Sequence, residues 1–398
     1  MAKLSIDNLN VRGKNVLMRV DFNVPLDDDR TITDDLRIRA ALPSIKKVLA
    51  DGGRAILCSH LGRPKGQRKE EFSLKPVAEH LTSLLGQSVR FANDCIGDDV
   101  LAMKEALQDG EVLLLENLRF HAGETGNDDA FAAELAKGCD CYINDAFGTA
   151  HRAHASTAGV TTHFDQCAAG YLMLKELKYL GDALENPQRP FVAILGGAKI
   201  SGKIDVIEHL LGKTDALLIG GGMIFTFYKA HGWEIGKSLL EEERLDMAKE
   251  ILAKAQDSST SLELPLDVLA ADRFEQGADV QTVAVHEFPA DRIGVDIGTG
   301  SISKFEEILR SAKTVVWNGP MGVFEIPDFA RGTEAIARLL AEITDNGATT
   351  IVGGGDSAAA VKKFNLEDRL SHVSTGGGAS LEFLEGKTLP GVAALTDN

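Results

Sequence analysis

Nowhere in the sequence do 18 apolar residues follow one another, so no membrane-spanning helix is expected. The opening stretch, MAKLSIDNLNVRGKNVLMRV, lacks the continuous apolar segment of a secretory signal, which points to a cytoplasmic chain. Positive charge is also in short supply: 42 Lys and Arg stand against 59 Asp and Glu, a net charge of −17. That balance argues against adhesion to nucleic acid or to an anionic membrane. It leaves small anions open, because local clusters decide their binding. Cysteine is sparse and odd in number: Cys58, Cys95, Cys139, Cys141 and Cys167. In a chain of this size these are expected to be reduced, buried and inert. Cys139 and Cys141 have no second ligand pair at a zinc spacing, so no zinc site is expected. A GxGxxG run is missing after the first strand of either half, and a Walker A motif is missing altogether. Internal repeats and low-complexity segments are absent too.

What is present divides in two. A chain of 398 residues exceeds one ordinary core and fits two domains. The divider is Gly170 to Pro190. Tyr171, Leu174, Leu177, Tyr179, Leu180 and Leu184 recur at roughly helical spacing, and two prolines then break the pattern. Motifs rich in Arg and His precede it; 25 of the 40 glycines and all three Gly-Gly-Gly triplets follow it. Two domains with two kinds of phosphate site, joined by a movable helix, are expected.

In the first half, four short apolar runs read as buried strands: Val16 to Val20, Ala55 to Ser59, Val112 to Leu115 and Tyr142 to Asp145. Polar motifs follow each run closely. Asp21 and Asn23 follow the first, where a capped turn closed by Pro25 is the plain alternative to substrate hydrogen bonding. His60, Gly62 and Arg63 follow the second, Arg119 the third, and Arg152 the fourth. In a parallel sheet such ends share one edge, where ligands of open α/β sheets bind. Arg37, His60, Arg63, Arg119 and Arg152 are therefore expected to converge, which is costly without a polyanion between them. Arg37 and Arg39 stand two apart on a predicted helix, so at most one points to that place.

In the second half, each predicted strand runs into a glycine-rich loop. Gly196-Gly197-Ala198-Lys199 leads to Lys203, two lysines four apart that would share a helical face. Gly220 to Gly222 follow the next strand, and Asn318 to Glu325 another. Gly353 to Ser357 enters a helix, and Gly376 to Gly378 enters one more. Glycines at helix starts expose backbone N–H groups to phosphate. Asp356 reads equally as a helix cap and as a ligand for Mg²⁺. The repeated strand-loop-helix pattern implies a second parallel sheet.

RVDFNVP (Arg19 to Pro25), SHLGRP (Ser59 to Pro64), ENLRFH (Glu116 to His121) and DAFGTAHRAHAS (Asp145 to Ser156) resemble the phosphoglycerate kinase family. So do ILGGAKISGK (Ile194 to Lys203), GGGM (Gly220 to Met223), WNGPMGVFE (Trp317 to Glu325), GGGDS (Gly353 to Ser357) and STGGGAS (Ser374 to Ser380). The resemblance runs from end to end. It implies an α/β fold of two similar-sized Rossmann-like domains, each a parallel sheet flanked by helices. Residues 1–170, with a C-terminal return at 375–398, would bind 3-phosphoglycerate. Residues 171–190 would form the hinge helix and linker, and 191–374 the nucleotide-binding domain. The implied reaction is reversible phosphoryl transfer between ATP and the carboxylate of 3-phosphoglycerate, with Mg²⁺, in a monomer. By resemblance, Asp21, Phe22, Asn23, Arg37, His60, Leu61, Gly62, Arg63, Arg119 and Arg152 bind the phosphoglycerate. Lys203, Gly221, Glu325, Gly354, Gly355, Asp356 and Ser357 bind nucleotide, Asp356 beside the metal and Glu325 on the ribose. Arg37, Lys199, Gly376, Gly377 and Gly378 attend the transferring phosphoryl group. Ser357 stands where the family often has Thr, and a hydroxyl is kept. A nonenzymatic nucleotide-binding scaffold on the same fold is the alternative, although every transfer residue is present.

Overall fold

The computed structural model describes residues 3–398. Two compact units make up the chain: Met1–Lys178 with Thr388–Asn398, and Tyr179–Lys387. The division falls inside the helix Tyr171–Glu185. The chain re-enters the first unit at Thr388, later than the position 375 read from the sequence.

The first unit holds a six-stranded parallel sheet of β1 (Asn15–Val20), β2 (Arg54–Cys58), β3 (Val89–Phe91), β4 (Val112–Leu114), β5 (Cys141–Asp145) and β6 (Cys167–Ala169), in the order β3-β4-β2-β1-β5-β6. Every residue of β1, β4 and β5 is buried. That is why these strands read as continuous apolar runs rather than alternating ones: helices cover both faces of such a sheet. β3 and β6 are three residues each and carry little of that signal. The C-terminal return adds to this unit through its backbone. Thr396 N–H donates to the Cys167 carbonyl at 3.0 Å, and Leu4 N–H to the Thr396 carbonyl at 2.8 Å.

The second unit repeats the plan with β7 (Phe191–Leu195), β8 (Ala216–Ile219), β9 (Ser261–Glu263), β13 (Thr314–Asn318), β14 (Thr349–Gly353) and β15 (His372–Val373), in the order β15-β14-β13-β7-β8-β9, all parallel. Here the sequence reading needs an addition. β10 (Asp267–Ala271) pairs antiparallel with β11 (Val280–Ala284) and β12 (Ile293–Ile297) in a separate small sheet. The helix Arg331–Asp345 shows how the large sheet is covered: Ile336, Leu339, Leu340 and Ile343 are buried at spacings of three and four. Each such side chain contributes about 1.5–3 kcal/mol. Among the described residues, no helix is long and apolar enough to cross a membrane.

Candidate active site

In the first unit, parallel register decides which loops meet. Arg19 lies level with Cys58 on β2 and Asn144 on β5, and Leu57 is level with Leu114 on β4. The loops that leave β1, β2, β4 and β5 therefore emerge at one edge. Asp21 accepts from Asn23 N–H at 3.1 Å, and its other oxygen lies 3.3 Å from Arg37 Nη1. Arg37 Nη1 also donates to the Asn23 carbonyl at 3.0 Å, while its Nη2 and Nε make no hydrogen bond among the described residues. Arg39 points elsewhere and pairs with Asp35 at 2.9 Å, as its spacing from Arg37 requires.

The Asn23 side chain continues the network. Its Oδ1 accepts from Gly62 N–H at 2.9 Å, and the Gly62 carbonyl accepts from Arg119 Nη1 at 2.8 Å. Gly62 has φ +61°, and a Cβ there would lie 2.4 Å from the Phe72 ring, so glycine alone fits. Phe22 and Leu61 are buried in the core, and their N–H groups go to Ser59 Oγ at 2.8 Å and Asn117 Oδ1 at 3.2 Å. They shape the loops and present no side chain to a ligand. Arg63 is exposed and Arg152 half-buried, and neither guanidinium makes a hydrogen bond among the described residues.

Charge is crowded here. Arg119 is 8% exposed, and its pKa falls to about 10, through burial first and then through Arg19, Arg152 and Arg63. Burial, then Arg19, Arg119, Arg37 and His154, hold His60 well below the usual imidazole range. His154 is pushed down to about 4 by burial and by Arg119, Arg19 and Arg152. An anion with several oxygens suits such a place.

A buried network behind these residues escaped the sequence reading. Arg19 lies fully buried within β1. Its Nε donates to Ser156 Oγ at 2.9 Å, its Nη1 to the Val20 carbonyl, and its Nη2 contacts His60 Nδ1 at 3.0 Å. Ser156 Oγ donates to Glu124 Oε1 at 2.7 Å, and Ser156 N–H to Glu124 Oε2 at 3.0 Å. The one available signal was an arginine inside an otherwise apolar strand.

In the second unit the glycine loops serve first to bring backbones together. A Cβ on Gly221, at φ +71°, would lie 2.4 Å from Gly197 N. Gly221 N–H donates to the Met321 carbonyl at 2.9 Å. The loops after β7, β8 and β13 thus touch one another. The helix after β7 begins only at Ile204, so Lys199 and Lys203 precede it and do not share a helical face as expected. The reason is local: Ser201 N–H and Oγ are bound to Glu241 at 3.0 and 2.6 Å, which holds that segment as a turn. Lys199 is exposed. Lys203 donates to Asn318 Oδ1, and burial brings its pKa down to about 8, opposed by the charges of Asp356 and Glu385.

Gly354, at φ +90°, caps the helix Gly355–Lys363, with Gly355 and Asp356 exposed in its first turn. Ser357 is fully buried and accepts from Gly319 N–H at 2.6 Å, tying this helix to the loop after β13. Glu325 is exposed; Lys363 Nζ holds its loop through the Phe324 carbonyl at 2.7 Å. Gly376 N–H donates to Ser374 Oγ at 3.0 Å, and Gly377 caps the helix Gly378–Leu384. Asn318 was missed by the sequence reading. Its Oδ1 takes Lys203, and its buried Nδ2 has no partner.

Outside these loops, Asp94, Cys95 and His121 bring donor atoms within 4.8 Å of one another. His121 Nε2 is bonded to Asp94 Oδ1 at 2.6 Å, and burial pushes the Cys95 thiol well above its usual value. The group is a His–carboxylate pair beside a closed thiol. Cys58, Cys141 and Cys167 are also buried, whereas Cys139 is partly exposed rather than buried as expected.

A sequence model described as phosphoglycerate kinase matches residues 6–387. Phosphoglycerate kinases of Chloroherpeton thalassium and Acaryochloris marina are 59% and 58% identical, each aligned over 100% of both chains. Among solved structures, phosphoglycerate kinase from Coxiella burnetii superposes with a TM-score of 0.91 at 45% identity, covering 98% of each chain. The Pyrococcus horikoshii enzyme gives 0.85 at 31%, again over 98% of each. With the whole length matched in sequence and in fold, the chain belongs to the phosphoglycerate kinase family.

Proposed function

We propose that this protein catalyses reversible transfer of the γ-phosphoryl group of ATP to the carboxylate of 3-phosphoglycerate, giving ADP and 1,3-bisphosphoglycerate. The family match over residues 6–387 carries the reading. The linked Asp21, Asn23, Arg37, Gly62 and Arg119 support it as the phosphoglycerate site, together with His60, Arg63 and Arg152. Lys203, Gly354, Gly355 and Asp356 are proposed to hold the nucleotide phosphates, with Glu325 on the ribose. Gly221 and Ser357 serve that site through the loop packing they secure.

The attacking group is a carboxylate with a pKa of about 3.5, already ionised at neutral pH. A general base is therefore unnecessary, and catalysis rests on alignment and charge stabilisation. The free Nη2 and Nε of Arg37 can fork to two oxygens of the transferring group, and Lys199 adds a point charge. The N–H groups of Gly377 and Gly378 are proposed for the same role, with Gly376, whose N–H is bonded to Ser374 Oγ, shaping the turn that presents them. Asp356 would hold Mg²⁺: it is an exposed hard oxygen donor at a helix start, the ligand type that ion prefers. When bound, Mg²⁺ neutralises phosphate charge. The acyl phosphate product is prone to hydrolysis, so water must be kept out during transfer. We infer that the units close for transfer and part for release, bending at helix Tyr171–Glu185 and at the return near Thr388.

The reading is of a cytoplasmic monomer, as the family resemblance implies, that binds neither nucleic acid nor membrane, on a net charge of −17. A coupled assay with 3-phosphoglycerate and ATP tests it, with and without a Mg²⁺ chelator. Turnover that requires both substrates and is lost with the chelator is expected. ATP consumption independent of 3-phosphoglycerate would refute the assignment.

A further inference from the structure

We propose that Arg19 is a positioning residue that fixes His60 as the neutral tautomer with its proton on Nε2, so that His60 gives the phosphoglycerate a hydrogen-bond donor and no charge. This rests on reading His60 as a substrate ligand.

A guanidinium has five N–H donors and no acceptor. Arg19 Nη2 lies 3.0 Å from His60 Nδ1, so Nδ1 must supply the lone pair. A neutral imidazole then carries its proton on Nε2. Among the described residues Nε2 has no hydrogen-bond partner, and the ring is 4% exposed. Arg19 cannot swing away cheaply, because Nε is committed to Ser156 Oγ and Nη1 to the Val20 carbonyl. Ser156 in turn can accept from Arg19 only while its own proton goes to Glu124, a carboxylate with no exposure. The direction of every proton from Glu124 to His60 is thereby set.

Other groups act on the ring with the same sign. Arg37 comes from the helix Leu36–Ala50, Arg119 from the loop after β4 and His154 from the loop after β5; each disfavours a second proton. The cluster thus has two kinds of group. Arginines supply charge, and His60 supplies a fixed direction that an imidazolium would blur by donating from both nitrogens.

The test is long-range ¹H–¹⁵N correlation on the full chain labelled with ¹⁵N-histidine, over roughly pH 5.5 to 8.5. His60 is assigned by the signals lost in His60→Gln. The expected spectrum has a protonated Nε2 and an unprotonated Nδ1, both constant across the range. A proton on Nδ1, or a titration midpoint above about 6, overturns the proposal. In Arg19→Met, mixed tautomers are expected, with KM for 3-phosphoglycerate raised about tenfold or more, one hydrogen bond's worth, and KM for MgATP unchanged. An unaltered Nε2–H tautomer in that variant overturns the role of Arg19. If Arg19→Met does not fold, Arg19→Gln, whose amide can accept as well as donate, is read by the same criteria, and the wild-type spectrum still decides the tautomer. His60→Ala with unchanged KM for 3-phosphoglycerate would refute the ligand reading separately, whatever the spectrum shows.

Discussion

Replacing Arg119 by methionine separates what the basic cluster does for stability from what it does for substrate. The Arg119 pKa is lowered to about 10, because burial and Arg19, Arg152 and Arg63 all disfavour its charge. Measured against an ordinary guanidinium, that lowering costs on the order of 3 kcal/mol. The folded pKa of this cation lies below the unfolded one. The cost is therefore fully present at neutral pH and is relieved only above about pH 10. Against it stands the hydrogen bond to the Gly62 carbonyl at 2.8 Å, about 1 kcal/mol net. Methionine keeps most of the buried volume. The free Arg119→Met protein should thus be more stable than wild type by about 1–2 kcal/mol. Its kcat/KM for 3-phosphoglycerate should fall by a factor on the order of 10² or more, since a charge-assisted contact is lost. Urea unfolding without ligand, followed by steady-state kinetics, reads both quantities. A variant destabilised by more than about 1 kcal/mol, or one with unchanged kcat/KM, would show that the cluster is ordinary surface charge.

Other expectations are as direct. Arg37→Ala should lower kcat by about 10² or more in a folded protein, whereas turnover within a few-fold of wild type would remove Arg37 from the transfer step. Lys203→Ala should raise the dissociation constant for MgATP while leaving that for 3-phosphoglycerate near wild type, measured by calorimetry; equal losses on both would contradict separate sites. In wild type, nucleotide affinity should decline above about pH 8 as buried Lys203 loses its proton. Asp145 accepts from Leu172 and Met173 N–H at 2.8 and 3.2 Å, and burial raises its pKa to about 6. Its folded pKa exceeds the unfolded value, so the folded state binds the proton more tightly and stability falls as pH rises from about 4 to 6. Asp145→Asn should reduce that slope in thermal unfolding followed over the same range, although buried Asp296, with a pKa of about 7, keeps part of it.

The parallel sheets were legible because β1, β4, β5, β7 and β13 are buried along their whole length and are therefore mostly apolar. β11 was not, because most of it is exposed and its pairing is with neighbours in a small separate sheet. At the site, the loops' polar residues were legible one by one; their bonding was not. That no more than one of Arg37 and Arg39 turns to Asp21 follows from helical spacing, but which of the two does so needed coordinates. Ser357 was legible as a hydroxyl at a helix start; that its oxygen accepts from Gly319 N–H was not. Lys203 looked helical and precedes the helix, since Glu241, 38 positions on, holds the turn at Ser201. Arg19, Ser156 and Glu124 join three separate stretches of chain, which no local pattern connects.

The central claim is transfer to a carboxylate, and ³¹P NMR of the purified protein with 3-phosphoglycerate and MgATP observes it without coupling enzymes. The account predicts an acyl-phosphate resonance appearing together with ADP, and its disappearance when excess ADP is added. ATP converted to ADP and inorganic phosphate with 3-phosphoglycerate left untouched, or no change at all, would contradict it.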